Sequence, residues 1–295
     1  MVQPLVIEAS GSHREVGRQV GEAGRDIVAW GLDAYASRFQ SLSGLSFSEA
    51  VERARAFLRP AEEYAPKAVD QLRGIAEAAN VPFDHLFTLN CSEEFTCTAD
   101  RNWPPEHCTS FAVAAEGMAV AGHNEDWYPE EIEAQTIRVV RVTGRWSSAA
   151  YISAGPAYSL PITGVTAAGF SSAANTVYYR DERIGVPNNF VLATVLCQPD
   201  LERAREFISG APRARGSNHL LCGRDGRIWD VETSGELCAV LDGSPPSPEA
   251  ASSGVSALFV HTNHYVSPEL APGDASRSEG SRLRRERAER LLLDG

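Results

Sequence analysis

The chain has 295 residues, enough to bury a full hydrophobic core. Its formal net charge of -12 argues against nucleic acid and anionic membrane as main partners. Six cysteines form no dense framework, no apolar run approaches the ~18 residues of a membrane span, and Met1-Val2-Gln3-Pro4 lacks the basic and apolar regions of a secretory signal. The expected setting is therefore a reducing cytoplasm with free thiols.

The first hundred residues read as helical. Ser12 caps a helix with Glu15 as its capping-box partner, and Val16, Val20, Ile27, Trp30 and Tyr35 follow at mostly helical spacing. A second helix follows Ser46, and a third spans Glu62 to Ala79 with Val69, Leu72, Ile75 and Ala76 on one face. Val81-Pro82 breaks it, and Pro82 suits the first turn of a helix carrying Leu86, Phe87 and Leu89. From Cys108 the texture changes to short β-rich runs: Phe111 to Ala114, Met118 to Ala121, Thr136 to Val142 and Ala149 to Ser153, then a hairpin from Gly164 to Val177. Helices return at Phe190 to Leu196 and Leu201 to Ile208. Strands resume at His219 to Cys222 and Arg227 to Glu232, across a turn at Asp225-Gly226. Gly243 to Gly254 is a Ser/Pro-rich loop, Leu258 to His261 a short buried strand, and Ser278 to Leu293 a closing Arg/Glu-rich helix. Helices, sheet, helices, sheet, helix is the order of a sheet sandwich with outer helical layers.

Cys108 is the residue with the most chemistry to offer. It opens a strand after the linker Asn102-Trp103-Pro104-Pro105, where a cut before it exposes a new N-terminus. An α-amine titrates near pH ~8 and accepts a proton at neutral pH, so one residue then carries nucleophile and base. Read alone, Cys108 is equally a small apolar residue at a strand start. Asp126 ends the next strand of the hairpin turning at Glu116-Gly117, which brings a carboxylate back beside Cys108 to hold the new ammonium; its other reading is the start of the turn into Tyr128-Pro129. His123 fits either a charge partner for the thiolate or a half-exposed polar face, and Asn124 alternates with Asp126 on one side of the strand. Asn263, in His261-Thr262-Asn263-His264-Tyr265, suits a carboxamide donor to a developing oxyanion, and Asn175 is a second candidate whose other reading is turn chemistry. No metal is expected: His-x-x-His at a strand end does not hold both rings on one face, and no Cys-x-x-Cys or His-Glu-x-x-His accompanies it. Cys91 and Cys97 read as core or linker thiols, and the arginines at 282, 284, 285, 287 and 290, interleaved with glutamates, read as a solvated, salt-bridged face.

These motifs together resemble the acyl-coenzyme A:6-aminopenicillanic acid acyltransferase family of autoproteolytic N-terminal-nucleophile hydrolases. The likeness runs through Gly11 to Gly21, Leu72 to Glu94, Cys108-Thr109, Asn124-x-Asp126-Trp127, Ser217-Asn218 and His261-Thr262-Asn263-His264. It implies an α+β fold, a four-layer αββα sandwich, with residues 1–107 as a mainly helical piece and 108–295 as a β-rich catalytic piece. The two pieces stay associated in one structural domain after self-cleavage between His107 and Cys108. It also implies Asp126 beside the new amine, with Asn263 and Asn175 at the oxyanion site. His107 stands where the penicillin acyltransferase has glycine. Family members follow the last helix with strands that supply an arginine near the nucleophile, an arginine this sequence does not contain; the resemblance implies either a truncated chain or another group, such as His123, in its place.

The acyl-thioester such a site forms serves both hydrolysis and acyl transfer. With one lysine, Lys67, and no phosphate-cradling glycine loop, no cofactor is expected beyond coenzyme A as an acyl carrier. The expected substrate is a small amide or thioester bound near His123, with an apolar acyl group against Trp127, Tyr128 and Phe170, aromatic residues that otherwise read as ordinary core. Competing readings are a papain-like thiol protease pairing Cys108 with His261 or His264, which the β-alternating run after Cys108 opposes, and a non-catalytic, unprocessed binding protein.

Overall fold

Ser12 and Ser46 each start a helix by the same exchange of hydrogen bonds. In the computed structural model, which describes residues 3–98, 108–115, 117–144, 149–244, 254–276 and 279–294, the Ser12 hydroxyl accepts from the Glu15 amide while the Glu15 carboxylate accepts from the Ser12 amide. Ser46 and Glu49 repeat the arrangement. The helices so begun are α1 (His13–Ala23), continued by α2 (Arg25–Arg38), and α3 (Phe47–Tyr64). The third expected helix starts later than Glu62. Ala65 leaves helical geometry at φ -123°, and Pro66, with no N–H to lose, opens α4 (Pro66–Ala79). α5 (Phe83–Leu89) and α6 (Ser92–Thr96) follow.

Two sequence motifs in this region are two sides of one helix crossing. A Cβ at Gly17 would lie 2.0 Å from the Gln71 carbonyl oxygen, one at Gly21 2.3 Å from that of Ile75, and one at Gly74 2.2 Å from that of Arg14. α1 and α4 therefore touch backbone to backbone, which glycine alone allows. Val16, Val20, Leu72 and Ile75 close over the crossing, fully buried.

The described β-strands form two sheets. The larger has eight strands, in the order β1 (Leu5–Gly11), β4 (Gln135–Val142), β5 (Ala149–Pro156), β6 (Thr163–Thr166), β7 (Phe170–Asn175), β8 (Ser217–Gly223), β9 (Ile228–Thr233) and β10 (Cys238–Asp242). The smaller has three, in the order β11 (Val255–His261), β2 (Cys108–Ala115) and β3 (Met118–Glu125). Two strands depart from the sequence expectation. β1 falls in the segment read as helical, buries only Ile7 and Ala9, and pairs in parallel with β4. β10 lies just before the Ser/Pro-rich loop and is a mostly exposed edge strand. The turn expected at Glu116-Gly117 is present at Gly117, with φ +78°; Glu116, the linker 99–107 and residues 245–253 lie outside the described residues.

Helices α1 to α6, with α7 (Asn188–Val195) and α8 (Leu201–Gly210), share one core with a face of the large sheet through Phe170, Leu221 and Val231. The opposite face packs on the small sheet through Ala112, Ala114, Leu220, Cys222, Ile228 and Ala257. α9 (Glu279–Asp294) covers the outside of the small sheet against β11 and β2. The layer order is αββα, as expected. Among the described residues no helix is long and apolar enough to cross a membrane.

The Gly17 crossing is sensitive to a single methyl group. Gly17→Ala is expected to destabilise the protein by about 3 kcal/mol, the upper part of the usual overpacking range, read by urea denaturation. Gly44→Ala, at a glycine with open space around it but φ +67°, removes only the conformational freedom a left-handed residue needs, and is expected to cost about 1 kcal/mol.

Candidate active site

Period-two alternation decides which residues of the small sheet meet the large one. On β2, Cys108, Ser110, Ala112 and Ala114 are buried inward, and Thr109, Phe111 and Val113 face the other way. Cross-strand pairing sets Cys108 opposite Glu125 and Ser110 opposite both His123 and His261. Glu125 and His123 therefore share the face of the thiol. The Cys108 thiol donates to Glu125 Oε1 at 3.3 Å, the other carboxylate oxygen lies 3.0 Å from His123 Nε2, and His123 Nδ1 lies 2.9 Å from Ser110 Oγ.

Asp126, expected beside Cys108, is one residue past the register. It is exposed and accepts from Asn124 Nδ2 at 2.7 Å. Asn124 and Asp126 do share a side, as expected, but it is the side away from the thiol.

Asn263 sits where three layers meet. Its Oδ1 accepts from the Cys108 amide at 3.1 Å and from Arg284 Nη2 at 2.9 Å, and its Nδ2 donates to the Thr176 carbonyl at 2.9 Å. Two donors on one end and an acceptor on the other leave no freedom to exchange oxygen and nitrogen. Its N–H donors thus face Thr176, and its oxygen faces Cys108, the reverse of the orientation expected of an oxyanion donor. The Thr176 backbone in turn reaches the Cys108 thiol. Asn175, its neighbour, ends β7 on the face turned to the small sheet, and both ends of its buried carboxamide lack a partner among the described residues. A buried amide left in that state is costly, and it supplies a donor without prior engagement.

An arginine of α9, from the face expected to be solvated, reaches the Cys108 backbone. Arg284 Nη1 donates to the Cys108 carbonyl at 2.7 Å and to Thr109 Oγ1 at 2.9 Å. Ser281, one turn earlier on the same helix face, accepts from the Asn263 amide at 2.9 Å. The expected salt-bridged face exists in part, as Arg285 pairs with Glu289 at 3.0 Å, but Arg284 leaves it for the site.

Burial, and after it the Glu125 carboxylate, push the Cys108 thiol well above its ordinary range. The thiol is protonated at neutral pH and needs a base. Beside it is a cavity of about 240 Å³ walled by His123 and Glu125, with Trp127, Tyr35, Tyr158 and Ile162 as its apolar lining and Glu93 and Glu131 as further acids. Glu93 is paired with Arg215, and Glu131 with Arg38, Trp127 and Tyr158. Of the expected substrate contacts, His123 and Trp127 line this cavity. Tyr128 does not; the Arg38 guanidinium lies 3.8 Å from its ring centroid. Phe170 points to the opposite face of the large sheet, into the helical core. His107 lies outside the described residues.

The two histidines that flank Asn263 are committed elsewhere. His261 Nδ1 faces the Thr262 carbonyl at 2.7 Å and Nε2 the Glu232 carboxylate at 2.8 Å. Both neighbours only accept, so the fully buried ring is a doubly protonated imidazolium. Glu232 also accepts from the Val266 and Ser267 amides, at 2.6 and 2.8 Å, and so pins the turn that carries Asn263. His264 Nδ1 lies 2.7 Å from Ser281 Oγ. Neither ring bonds the thiol, and Cys108 begins a strand, not a helix, so the papain-like arrangement is absent. Among the described residues, Asp230, Glu232 and His261, and separately Cys108, His123 and Glu125, bring metal-ligand atoms within 4.8 Å of one another. In the first group both histidine nitrogens already carry protons, leaving no lone pair for an ion. In the second the three side chains are hydrogen-bonded directly to one another.

The sequence profile of the acyl-coenzyme A:6-aminopenicillanic acid acyl-transferase family matches residues 113–294, a span that starts just after Cys108 and includes Glu125, Asn175, Asn263 and Arg284. No curated protein matches the chain. Among solved structures, it is similar to variant R18L of conjugated bile acid hydrolase from Clostridium perfringens, at 18% identity over 55% of each chain with a TM-score of 0.38. It is also similar to penicillin V acylase from Agrobacterium tumefaciens, at 15% identity over 48% of this chain and 44% of that one, with a TM-score of 0.26. The chain spans about half the length of these structures.

The buried His261–Glu232 pair has a defined pH signature. Burial opposes the charged ring, but Asp230 first, then Glu232 and the Thr262 carbonyl, outweigh it, and the His261 pKa is raised above 6.5. Its contribution to stability is fully present below about pH 6.5 and is lost as pH rises through the raised value. The stability lost in His261→Gln, from urea denaturation, is expected to be larger at pH 6 than at pH 9. An equal loss at both would mean the ring is neutral in the folded protein.

Proposed function

The chain belongs to the acyl-coenzyme A:6-aminopenicillanic acid acyl-transferase family, and from that premise we propose that it is a self-cleaving amidohydrolase or acyltransferase with Cys108 as nucleophile. The observation that carries the proposal is the hold on the Cys108 backbone nitrogen. Its hydrogen is accepted by the Asn263 oxygen, which Arg284 and the Thr176 carbonyl keep in place. Any buried peptide N–H needs an acceptor; an acceptor that is itself fixed from both sides also suits a catalytic N-terminal amine, which must be held at one place.

In the cleaved protein the amine of Cys108 accepts the thiol proton, and the thiolate attacks the substrate carbonyl. The developing oxyanion is assigned to the Nδ2 of Asn175, the unpartnered buried amide. Asn263, with its donors turned to Thr176, is assigned to the amine instead. The ammonium returns its proton to the departing amine or thiol, leaving an acyl-thioester that water or an acceptor amine resolves. The acyl group is small and apolar, seated against Trp127, Tyr35 and Tyr158 in the cavity whose wall is Glu125. Coenzyme A enters this scheme only as the carrier of a thioester substrate.

Intact mass tests the first step. Wild-type protein is expected as two pieces, residues 1–107 and 108–295, and Cys108→Ala as one. A wild-type chain that stays whole would defeat the proposal. Asn175→Ala is expected to cleave itself and to lose ~10²- to 10³-fold in kcat on an acyl-amide or acyl-thioester, the usual loss for one oxyanion donor. A folded Asn175→Ala with unchanged kcat would remove that residue from the oxyanion site.

A further inference from the structure

Self-cleavage raises a difficulty that the finished enzyme does not share. Once the chain is cut, the α-amine of Cys108 is the base. Before the cut that nitrogen belongs to a peptide bond and is no base at all. The thiol is protonated and buried, so its first proton must go to another group.

The groups around the thiol narrow the choice to one. Glu93 is tied to Arg215, and Asp126 is exposed and faces away. His261 is an imidazolium bonded to Glu232, and His264 is bonded to Ser281. Glu125 takes the thiol's own hydrogen bond, Sγ to Oε1, at 3.3 Å. The pairing of Cys108 with Glu125 and of Ser110 with His123 lines up Sγ, the carboxylate, the imidazole and the serine hydroxyl along one strand face. The carboxylate is held from its far side by His123 Nε2 and keeps 40% exposure, while His123 is largely covered.

We propose that Glu125 is the general base of the self-cleavage, with His123 as the positioning residue that aims it; this rests on the self-cleavage reading above. The Sγ–H proton passes to Glu125 Oε1 as Sγ bonds the carbonyl carbon of residue 107. The tetrahedral oxyanion collapses, the carbon–nitrogen bond to Cys108 breaks, and the nitrogen takes the proton back from Glu125. Residue 107 is now a thioester on Sγ. Water adds to its carbonyl, the carbon–sulfur bond breaks, and the products are a carboxylic acid at 107 and a free thiol and amine at Cys108. Only water is consumed. Throughout the transfer thiol, carboxylate and carbonyl together carry a single negative charge, which starts on Glu125 and passes to the oxyanion. Losing the proton to solvent would set thiolate and carboxylate side by side, which is why a neighbouring acid helps here only by accepting the proton itself.

The test follows the mass of freshly synthesised full-length precursor over time. Glu125→Gln is expected to slow cleavage by ~10²-fold or more, the usual share of a general base, and Glu125→Asp by less. Formate added to Glu125→Ala is expected to restore part of the rate, where chloride at the same ionic strength does not. His123→Gln is expected to slow cleavage less than Glu125→Gln and to be insensitive to formate. Cleavage of Glu125→Gln at the wild-type rate would overturn the proposal. So would faster cleavage, which would make the carboxylate a brake on the thiol. If the Gln variant does not fold, the Ala variant decides: no formate rescue in a protein with wild-type circular dichroism counts against the base. In either failure a wild type that still cleaves and a Cys108→Ala that does not leave the parent reading standing. A wild type that never cleaves defeats both.

Discussion

The carboxamide of Asn263 is the point on which the arrangement depends. One planar group of three heavy atoms ties the first residue of β2, the residue after β7 and the helix α9. Those are the inner sheet, the large sheet and the outer helical layer. Its conformation is over-determined because two donors meet its oxygen and one acceptor its nitrogen, so a rotation about the terminal bond would lose three hydrogen bonds together. Everything that fixes Asn263 consequently fixes the Cys108 nitrogen. Glu232 does so through the Val266 and Ser267 amides, and Ser281 through the Asn263 amide.

The layer between the sheets is divided along its length. At one end it is apolar and small, with Ala112, Ala114 and Ala257 against Leu220, Cys222 and Ile228. At the other it is polar, with Ser110, Asn175, Asn218, Asp230, Glu232, His261 and Asn263 all buried. A polar core of this kind is stable only when nearly every group is matched, since an unpaired buried amide or charge costs more than the hydrogen bond returns. The matching is close to complete around Glu232 and His261. Asn218 donates to Asp230 at 2.5 Å, and burial leaves the Asp230 carboxyl pushed up to about 6. Asn218 Oδ1 and Asp230 Oδ2 also lack a partner among the described residues, and Asn175 is the side chain of this group unpartnered at both ends.

The sequence made the architecture legible because each layer has its own period. Helical spacing before position 100, β-alternation from Cys108 and the closing helix all appear where expected, as do the two serine capping boxes. β1 escaped because only Ile7 and Ala9 are buried in it, too few for an alternation to stand out. β10 escaped because an exposed edge strand has little pattern to show. At the site, Cys108, Asn175 and Asn263 were visible as residue types at strand ends. Arg284 was not: among the arginines of α9 nothing in the sequence separates the one that reaches inward from those that stay in solvent. Register, which the residue types do not give, places Glu125 and not Asp126 opposite Cys108. A two-residue turn pairing Ala115 with Met118 sets Cys108 opposite Glu125. A shift of one moves a carboxylate from the thiol's side of the sheet to the other.

The same geometry serves the Cys108 nitrogen in both of its chemical states. As an amide it has one hydrogen to donate, and Asn263 Oδ1 accepts it at 3.1 Å. As an amine it donates to the same oxygen and gains a lone pair; as an ammonium it donates again. A carboxamide oxygen is neutral, so it accepts from all three forms without greatly favouring the charged one. A carboxylate in that place would stabilise the ammonium and so weaken the amine as a base. The cationic Arg284 on the same oxygen opposes the ammonium further and favours the free amine. On the proposed reading, cleavage changes the chemistry of one atom while its surroundings stay where folding put them. Pre-organisation of the finished site is then already present in the precursor, and folding itself supplies it.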